Sequence, residues 1–346
     1  MYRGSYTIVG IELSMFTRKL EAQLCYQQIP HGWQFKTAEA GPNWEARAGT
    51  RFVPLLETPD GWVINDTIAI GPLLNDRFSE CSVLPVTPVQ RAASFVLEDY
   101  FNHWFPRHAL HTRWIDHDNA MAAGRCFGAN MLLNKSIDEP LSDEEQATVA
   151  DMGNFMRDSF GLAACDVQGA GADQQEAVEG DFHQMMGILK TLLEAQPFLL
   201  GDTACLADFA LVGPIKAHFL QDPLPLSWLE KNGNRAVLEA YVERVYAGAQ
   251  PGAVYAANDT LAPSLQPLLD HMVANYQPFA RASIVAAQRG EKTFTLDVGR
   301  GEFTARSMKR LEKARQHVRD ELSGLSLAGS MLEKSGALGL YAPESL

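Results

Sequence analysis

Residues 53–67 read Val53-Pro54-Leu55-Leu56-Glu57-Thr58-Pro59-Asp60-Gly61-Trp62-Val63-Ile64-Asn65-Asp66-Thr67. Two short apolar runs flank Thr-Pro-Asp-Gly, the composition of a tight turn, so the pattern predicts a β-hairpin. Asn65-Asp66-Thr67 then offers side-chain oxygens where a helix through Ile68, Ile70 and Leu74 would begin, with Asp66 or Asn65 as its N-cap. Upstream, residues 6–11 are rich in strand formers. Residues 16–28 carry apolar side chains at Leu20, Leu24 and Cys25, a helical spacing that ends before Pro30. Trp33 to Phe35 reads as a weaker second strand. The order is β-α-β, a loop, then β-β-α: a small mixed sheet carrying helices.

Downstream the pattern turns helical from about residue 88 to 247. Residues 89–111 are long and aromatic-rich, and Ser142-Asp143-Glu144-Glu145 forms a capping box. Further helical runs span 180–195, the nearly all-apolar 206–220 and 228–247. Gly169-Ala170-Gly171 reads as a loop and not a phosphate cradle, because no strand precedes it and acids follow. Beyond 255, residues 261–286 read as helix. Residues 293–304 read as a hairpin around Gly299-Arg300-Gly301, and 306–322 as a charged amphipathic helix. The tail after it is expected to be poorly ordered. Three domains are expected: 1–82, 88–250 and 255–346.

Charge and cysteine content narrow the function. Among 346 residues, 42 acids against 29 bases give a net charge of −13, which repels phosphate backbones, so no nucleic-acid partner is expected. The nearest basic group, Lys309-Arg310 to Lys313-Arg315, reads as one solvated helix face. No apolar run approaches the ~18 residues of a membrane span, and residues 1–10 lack the pattern of a secretory leader. Five scattered cysteines (Cys25, Cys81, Cys126, Cys165, Cys205) form no metal-type pair, which fits reduced thiols and a cytoplasmic protein.

Three features of the first domain belong together. Ser14, in Glu12-Leu13-Ser14-Met15-Phe16-Thr17-Arg18-Lys19, places a hydroxyl between strand one and helix one, beside free N–H groups and the positive helix end. Val53-Pro54 stands at a strand start, where proline admits a cis bond that would leave the Val53 backbone to pair with an extended ligand. Asp66-Thr67 stands at a helix N-terminus whose amides and hydroxyl suit a carboxylate, while Asp66 suits an ammonium.

In this order the set resembles the glutathione transferase superfamily, over residues 1–250. Gly201-Asp202-Thr203-Ala204-Cys205-Leu206-Ala207-Asp208-Phe209 looks like that superfamily's buried helix-capping motif. The resemblance implies an α/β plus all-α chain: a thioredoxin-like N-terminal domain, then a helical bundle of the glutathione transferase type. The C-terminal extension, with helices and a β-hairpin, is most similar to larger bacterial members.

It further implies glutathione as cosubstrate and no metal, with Ser14 as the catalytic hydroxyl. Val53, Pro54, Asp66 and Thr67 would hold glutathione. A small hydrophobic electrophile would bind along a cleft with Trp104, His108 and His111, in a homodimer. Met15 departs from the proline found in many members, Thr17 stands where some have serine or cysteine, and Thr67 replaces serine. Cys205 replaces the usual Ser or Thr, which weakens that cap by ~1 kcal/mol.

Ser14 is energetically adequate. Lowering a thiol from ~8.5 by two pKa units takes ~2.7 kcal/mol. A hydrogen bond to a charged group contributes about 1.5–3 kcal/mol, and a helix N-terminus about 0.3–1 kcal/mol. No general base is required. Two other classes stay open: a non-catalytic protein using the fold for binding, favoured by Met15 and the extension, and a metal-dependent hydrolase at His103, His108, His111 and His117. Arg18 and Lys19 read as a solvated helix face. Arg47 and Arg51 are equal candidates for the glycine carboxylate of glutathione. Tyr6 reads as sheet packing and Met185-Met186 as core.

Overall fold

The computed structural model describes residues 4–250, 255 and 257–342. Outside the described residues lie 1–3, part of the segment read for a leader, 251–254 and 256 at the expected third-domain boundary, and 343–346. Four strands form one mixed sheet in the order β2-β1-β3-β4: β1 (Tyr6–Gly10), β2 (His31–Phe35), β3 (Leu55–Glu57) and β4 (Val63–Asn65). β1 runs parallel to β2 and antiparallel to β3, and β3 pairs antiparallel with β4. The hairpin turn is as the sequence suggests: Gly61 sits at φ 85°, and its N–H donates to the Thr58 carbonyl over 2.9 Å.

The helices follow in chain order: α1 (Met15–Tyr26), α2 (Gly41–Ala48), α3 (Thr67–Arg77) and α4 (Pro88–Trp114). Next come α5 (His117–Leu132), α6 (Asp143–Val149), α7 (Met152–Met156), α8 (Leu162–Val167) and α9 (Gln175–Ala195). Then α10 (Leu206–Pro214), α11 (Pro223–Lys231), α12 (Arg235–Tyr246), α13 (Gln266–His271) and α14 (Gln277–Gln288) precede the hairpin β5 (Thr293–Asp297) and β6 (Glu302–Arg306). α15 (Lys309–Leu322) and α16 (Met331–Lys334) complete the order. The fold is α/β plus all-α, with a thioredoxin-like βαβαββα start and a helical remainder.

The chain divides into two compact units, each assembled from three stretches. The first comprises Met1–Val83, Thr112–Gly161 and Phe209–Pro251. Its sheet core gathers Ile8, Leu20, Leu24, Leu56, Ile70 and Leu74, all buried, with Tyr6 edge-on to Phe78. Each such side chain contributes about 1.5–3 kcal/mol by leaving water. The second unit comprises Leu84–His111, Leu162–Asp208 and Gly252–Leu346. Its interior is aromatic: Phe95, Tyr100, Phe101, Phe105, Phe182, Tyr276 and Phe279 are buried. Phe279 meets both Trp104 and Phe294 edge-on at 5.5 Å. Asp208 accepts from the Leu199 and Cys205 amides over 2.9 and 2.8 Å, so this carboxylate holds the start of α10 where Cys205 stands at the cap.

Several expectations need correction. The loop between β2 and β3 contains α2, which has no apolar stripe and opens on Gly41-Pro42; proline is tolerated in a first turn. The 228–247 run is two helices, broken at Asn232-Gly233-Asn234 with Gly233 at φ 66°. Arg315 is buried and grips Glu312 through two bonds of 2.7 and 2.9 Å, so the basic run of α15 is not wholly a solvated face. The tail is ordered as far as it is described. Leu332, Ala337, Leu340 and Tyr341 are buried, and Gln277 donates to the Gly336 and Ala337 carbonyls. Tyr341 also donates to Asp99 Oδ2 over 2.7 Å. Apolar burial and satisfied carbonyls fix it despite its Gly/Ser-rich composition.

Candidate functional site

Sheet register decides where the three sequence features meet. Val9 pairs with Leu55, and Leu55 with Asn65, so one row crosses β1, β3 and β4. Beyond that row lie Ile11 to Ser14, Val53-Pro54 and Asp66-Thr67, three segments leaving or entering the same end of the sheet. The Val53–Pro54 bond is cis.

Ser14 is the N-cap of α1, with extended φ −88° and ψ 119°, and its Oγ accepts the Thr17 amide over 3.3 Å. That bond occupies an acceptor lone pair and leaves the O–H to donate, which suits an anion better than a cation. Two glycines admit the close packing around it. A Cβ on Gly10 would come within 2.4 Å of the Thr17 side chain, and one on Gly213 within 2.3 Å of the Met15 carbonyl. Asp66 caps α3 by accepting the Ile68 amide over 3.1 Å, at φ 73° and ψ 100°. Holding a non-glycine residue there costs roughly 1–3 kcal/mol, and such strain clusters at ligand sites. Thr67 is buried as the first residue of α3.

The turn before Ser14 is held by residues the sequence reading passed over. The Glu12 amide donates to Asn130 Oδ1 over 2.8 Å, and Asn130 Nδ2 returns a bond of 2.9 Å to Glu12 Oε2. Ser136 Oγ and the Ile137 amide also donate to that carboxylate. Arg18 is buried, not solvated: it bonds the Glu12 carbonyl over 2.9 Å and pairs with Glu21 at 2.8 Å and Glu12 at 3.2 Å. Lys19 is buried too. Arg47 bonds Glu57 over 2.6 Å and the Gly61 carbonyl, at the hairpin-turn end of β3 and away from Val53-Pro54, while Arg51 lies over the Phe52 ring. Tyr6 is packed inside the sheet, where burial raises its pKa. Burial, aided by Glu21, pushes the Cys25 thiol up to about 12; burial, aided by Asp222, pushes Cys126 up to about 11. Neither is a thiolate near neutrality.

The residues expected along an electrophile cleft are elsewhere engaged. Trp104, His108 and His111 are 1%, 0% and 3% exposed inside the second unit, and present no surface to a ligand there. Asp181 accepts from Trp104 Nε1 at 3.0 Å, His108 Nε2 at 2.7 Å and His271 Nε2 at 2.8 Å. Tyr100 completes the chain by donating to His271 Nδ1 over 2.9 Å. Burial alone would raise the Asp181 pKa; the bonds from His108 and His271 outweigh it and hold the carboxyl well below the usual range. Burial lowers the pKa of both His108 and His111, and His111 meets the Ala170 carbonyl through Nδ1 at 2.9 Å. Arg107 donates to the Gln168 and Gly169 carbonyls, so this loop is gripped from within the second unit. Among the described residues, no group of three His, Cys, Asp or Glu is placed to hold a metal ion, and no helix is long and apolar enough to cross a membrane.

No family model matches the chain, and no curated protein does. Many of the solved structures similar to it are glutathione S-transferases. FzlA from C. crescentus is 19% identical with a TM-score of 0.42, over 74% of this chain and 98% of that one. A glutathione S-transferase from Rhodospirillum rubrum F11 is 16% identical at TM-score 0.44, over 76% and 91%. One from Ceriporiopsis subvermispora, solved in complex with glutathione, is 18% identical at TM-score 0.44, over 70% and 100%. These likenesses are distant, and the chemistry of the site rests on its own geometry.

Proposed function

We propose that the chain is a glutathione transferase-like enzyme in which the Ser14 hydroxyl stabilises the thiolate of bound glutathione for attack on a hydrophobic electrophile. The observation that carries the reading is the row Val9–Leu55–Asn65, which directs Ser14, Val53-Pro54 and Asp66-Thr67 to one end of the sheet. Glutathione is an extended tripeptide with a thiol at its centre. The Val53 backbone pairs with its cysteinyl unit, and Asp66 with Thr67 takes the γ-glutamyl ammonium and carboxylate. The Ser14 O–H then donates to the sulfur, and the thiol proton leaves to solvent. The thiolate attacks the electrophile's carbon, and the bond to its leaving group breaks, the electron pair departing with that group.

In this reading residues 1–82 bind glutathione, 88–250 supply the electrophile surface and 255–346 form the extension. The protein works as a cytoplasmic homodimer without a metal. One observation favours the alternative of a non-catalytic binding protein: Ser14 and Asp66 both already cap helices, a sufficient structural reason for each.

Calorimetric titration of glutathione, combined with thiolate absorbance across pH, tests the choice in wild type and Ser14→Ala. The enzyme reading expects both to bind and only wild type to lower the thiol pKa, by about two units. Absence of binding at millimolar glutathione removes it and leaves the binding-protein alternative.

A further inference from the structure

The Leu13–Ser14 peptide group is held at both its N–H and its C=O. The Ser14 amide donates to the Ile11 carbonyl over 3.0 Å, and the Leu13 carbonyl accepts from Arg113 Nη1 over 2.7 Å. Arg113 lies in the last turn of α4, 2% exposed, and its guanidinium is held by Asp222 through Nε at 2.8 Å and Nη2 at 3.0 Å. A further bond from Nη2 reaches the Ala217 carbonyl, in the wide helical turn at Ile215–Phe219. Asp222 is 1% exposed, so the pair is dry, and a dry charge-assisted bond is short, directional and hard to displace.

We propose that Arg113 is a positioning residue for Ser14. It acts through the Leu13 carbonyl, with Asp222 fixing the direction of its fork. A guanidinium presents donors in a rigid plane, and here one edge is fully used by Asp222 while the remaining Nη1 is aimed at Leu13. Rotation of the Leu13–Ser14 peptide would break that bond and leave a buried charge short of an acceptor, at a site water does not reach. The hydroxyl of Ser14 therefore keeps its bond to the Thr17 amide and a constant direction for its own proton. Lysine cannot replace this arrangement, because a single ammonium cannot span the Asp222 carboxylate and also reach Leu13 with the same alignment.

The chemical part of the proposal rests on the thiolate reading above; the structural part does not, and the test separates them. Amide hydrogen exchange at Ser14 and Thr17 is measured by NMR in unliganded wild type, Arg113→Lys and Asp222→Asn, with the Leu24 amide of α1 as internal reference. Thiolate absorbance of added glutathione is then followed in the same proteins and in the double variant Ser14→Ala/Arg113→Lys. The expected result is exchange at Ser14 and Thr17 raised about tenfold relative to Leu24 in Arg113→Lys, and less in Asp222→Asn. The bound thiol pKa should rise by about one unit in Arg113→Lys and no further in the double variant than in Ser14→Ala alone.

Equal increases at all three amides mean a general loss of stability and overturn the proposal. So does an Arg113→Lys protein that still lowers the thiol pKa as wild type does. Should Arg113→Lys not fold, Asp222→Asn decides by the same two readouts. If wild type itself leaves glutathione at its free pKa, the thiolate reading falls, and the exchange ratios alone decide whether Arg113 positions Ser14.

Discussion

His108 donates from Nε2 to Asp181 Oδ2 over 2.7 Å with neither side chain reaching solvent. The bond is that of a neutral imidazole to a carboxylate, since burial holds His108 below its ordinary pKa. Around Asp181 the second unit gathers three N–H donors, with Arg300 Nε 3.6 Å from the same carboxylate. This set makes the interior sensitive to acid.

Stability should fall as pH drops below about 6.5, the pKa of an unfolded histidine. His108 and His111 both have lowered pKa values in the folded state, so the unfolded chain binds those protons first. Their contribution is complete above the unfolded value and is lost as pH falls toward the folded ones, at up to about 1.4 kcal/mol per pH unit for each. Urea midpoints between pH 8 and pH 5 measure the slope, and His108→Gln should flatten it by about half. A slope unchanged in that variant would assign the acid sensitivity elsewhere.

Replacing Asp181 by alanine should destabilise the protein by about 3–5 kcal/mol, because three buried donors lose their common acceptor at once. Chemical denaturation gives the number. A loss under about 1 kcal/mol would mean that water enters and satisfies the donors.

The protein's own thiols should be quiet near neutrality. With Cys25 near 12 and Cys126 near 11, both should alkylate far more slowly at pH 8 than a free cysteine, as mass spectrometry of iodoacetamide-treated protein would show. This matters for the glutathione titration: thiolate absorbance appearing between pH 5 and pH 9 then comes from the ligand and not from these two residues.

Removing only the hydroxyl of Tyr341 should cost about 1–2 kcal/mol, since its bond to Asp99 is charge-assisted and buried while Tyr276 keeps a second bond to the same oxygen. Thermal unfolding of Tyr341→Phe tests this. No change in midpoint would show that the segment is held by its apolar contacts alone.

What could be read in the sequence was local. Ser14 follows a strand and precedes an apolar helical stripe, Pro54 opens a hairpin arm, and Asp66 stands directly before a helix. Each is a neighbour-to-neighbour signal. Arg113 carries no such mark: its partners Leu13 and Asp222 are 100 and 109 residues away, and a lone arginine near a helix end reads as surface. Arg18 misled for the same reason, since Asn130 and Ser136, which complete the buried Glu12 cluster, lie far along the chain. α2 escaped because an exposed helix has no apolar period to detect. Trp104, His108 and His111 were legible as a helical cluster but not as interior residues, because the acid that gathers two of them, Asp181, sits on another helix.

The bond between Tyr341 and Asp99 also has a meaning in time. The two residues are 242 positions apart, so a ribosome adding about 5–20 residues per second delivers Tyr341 some 10–50 s after Asp99. In that interval the acid and the aromatic rings of α4 are covered in stages, first by Asp181 and Phe182, then by Tyr276 and Phe279, and last by Tyr341. A nascent chain in that condition is a natural client for chaperones, and the second unit can close only once synthesis has passed the tail.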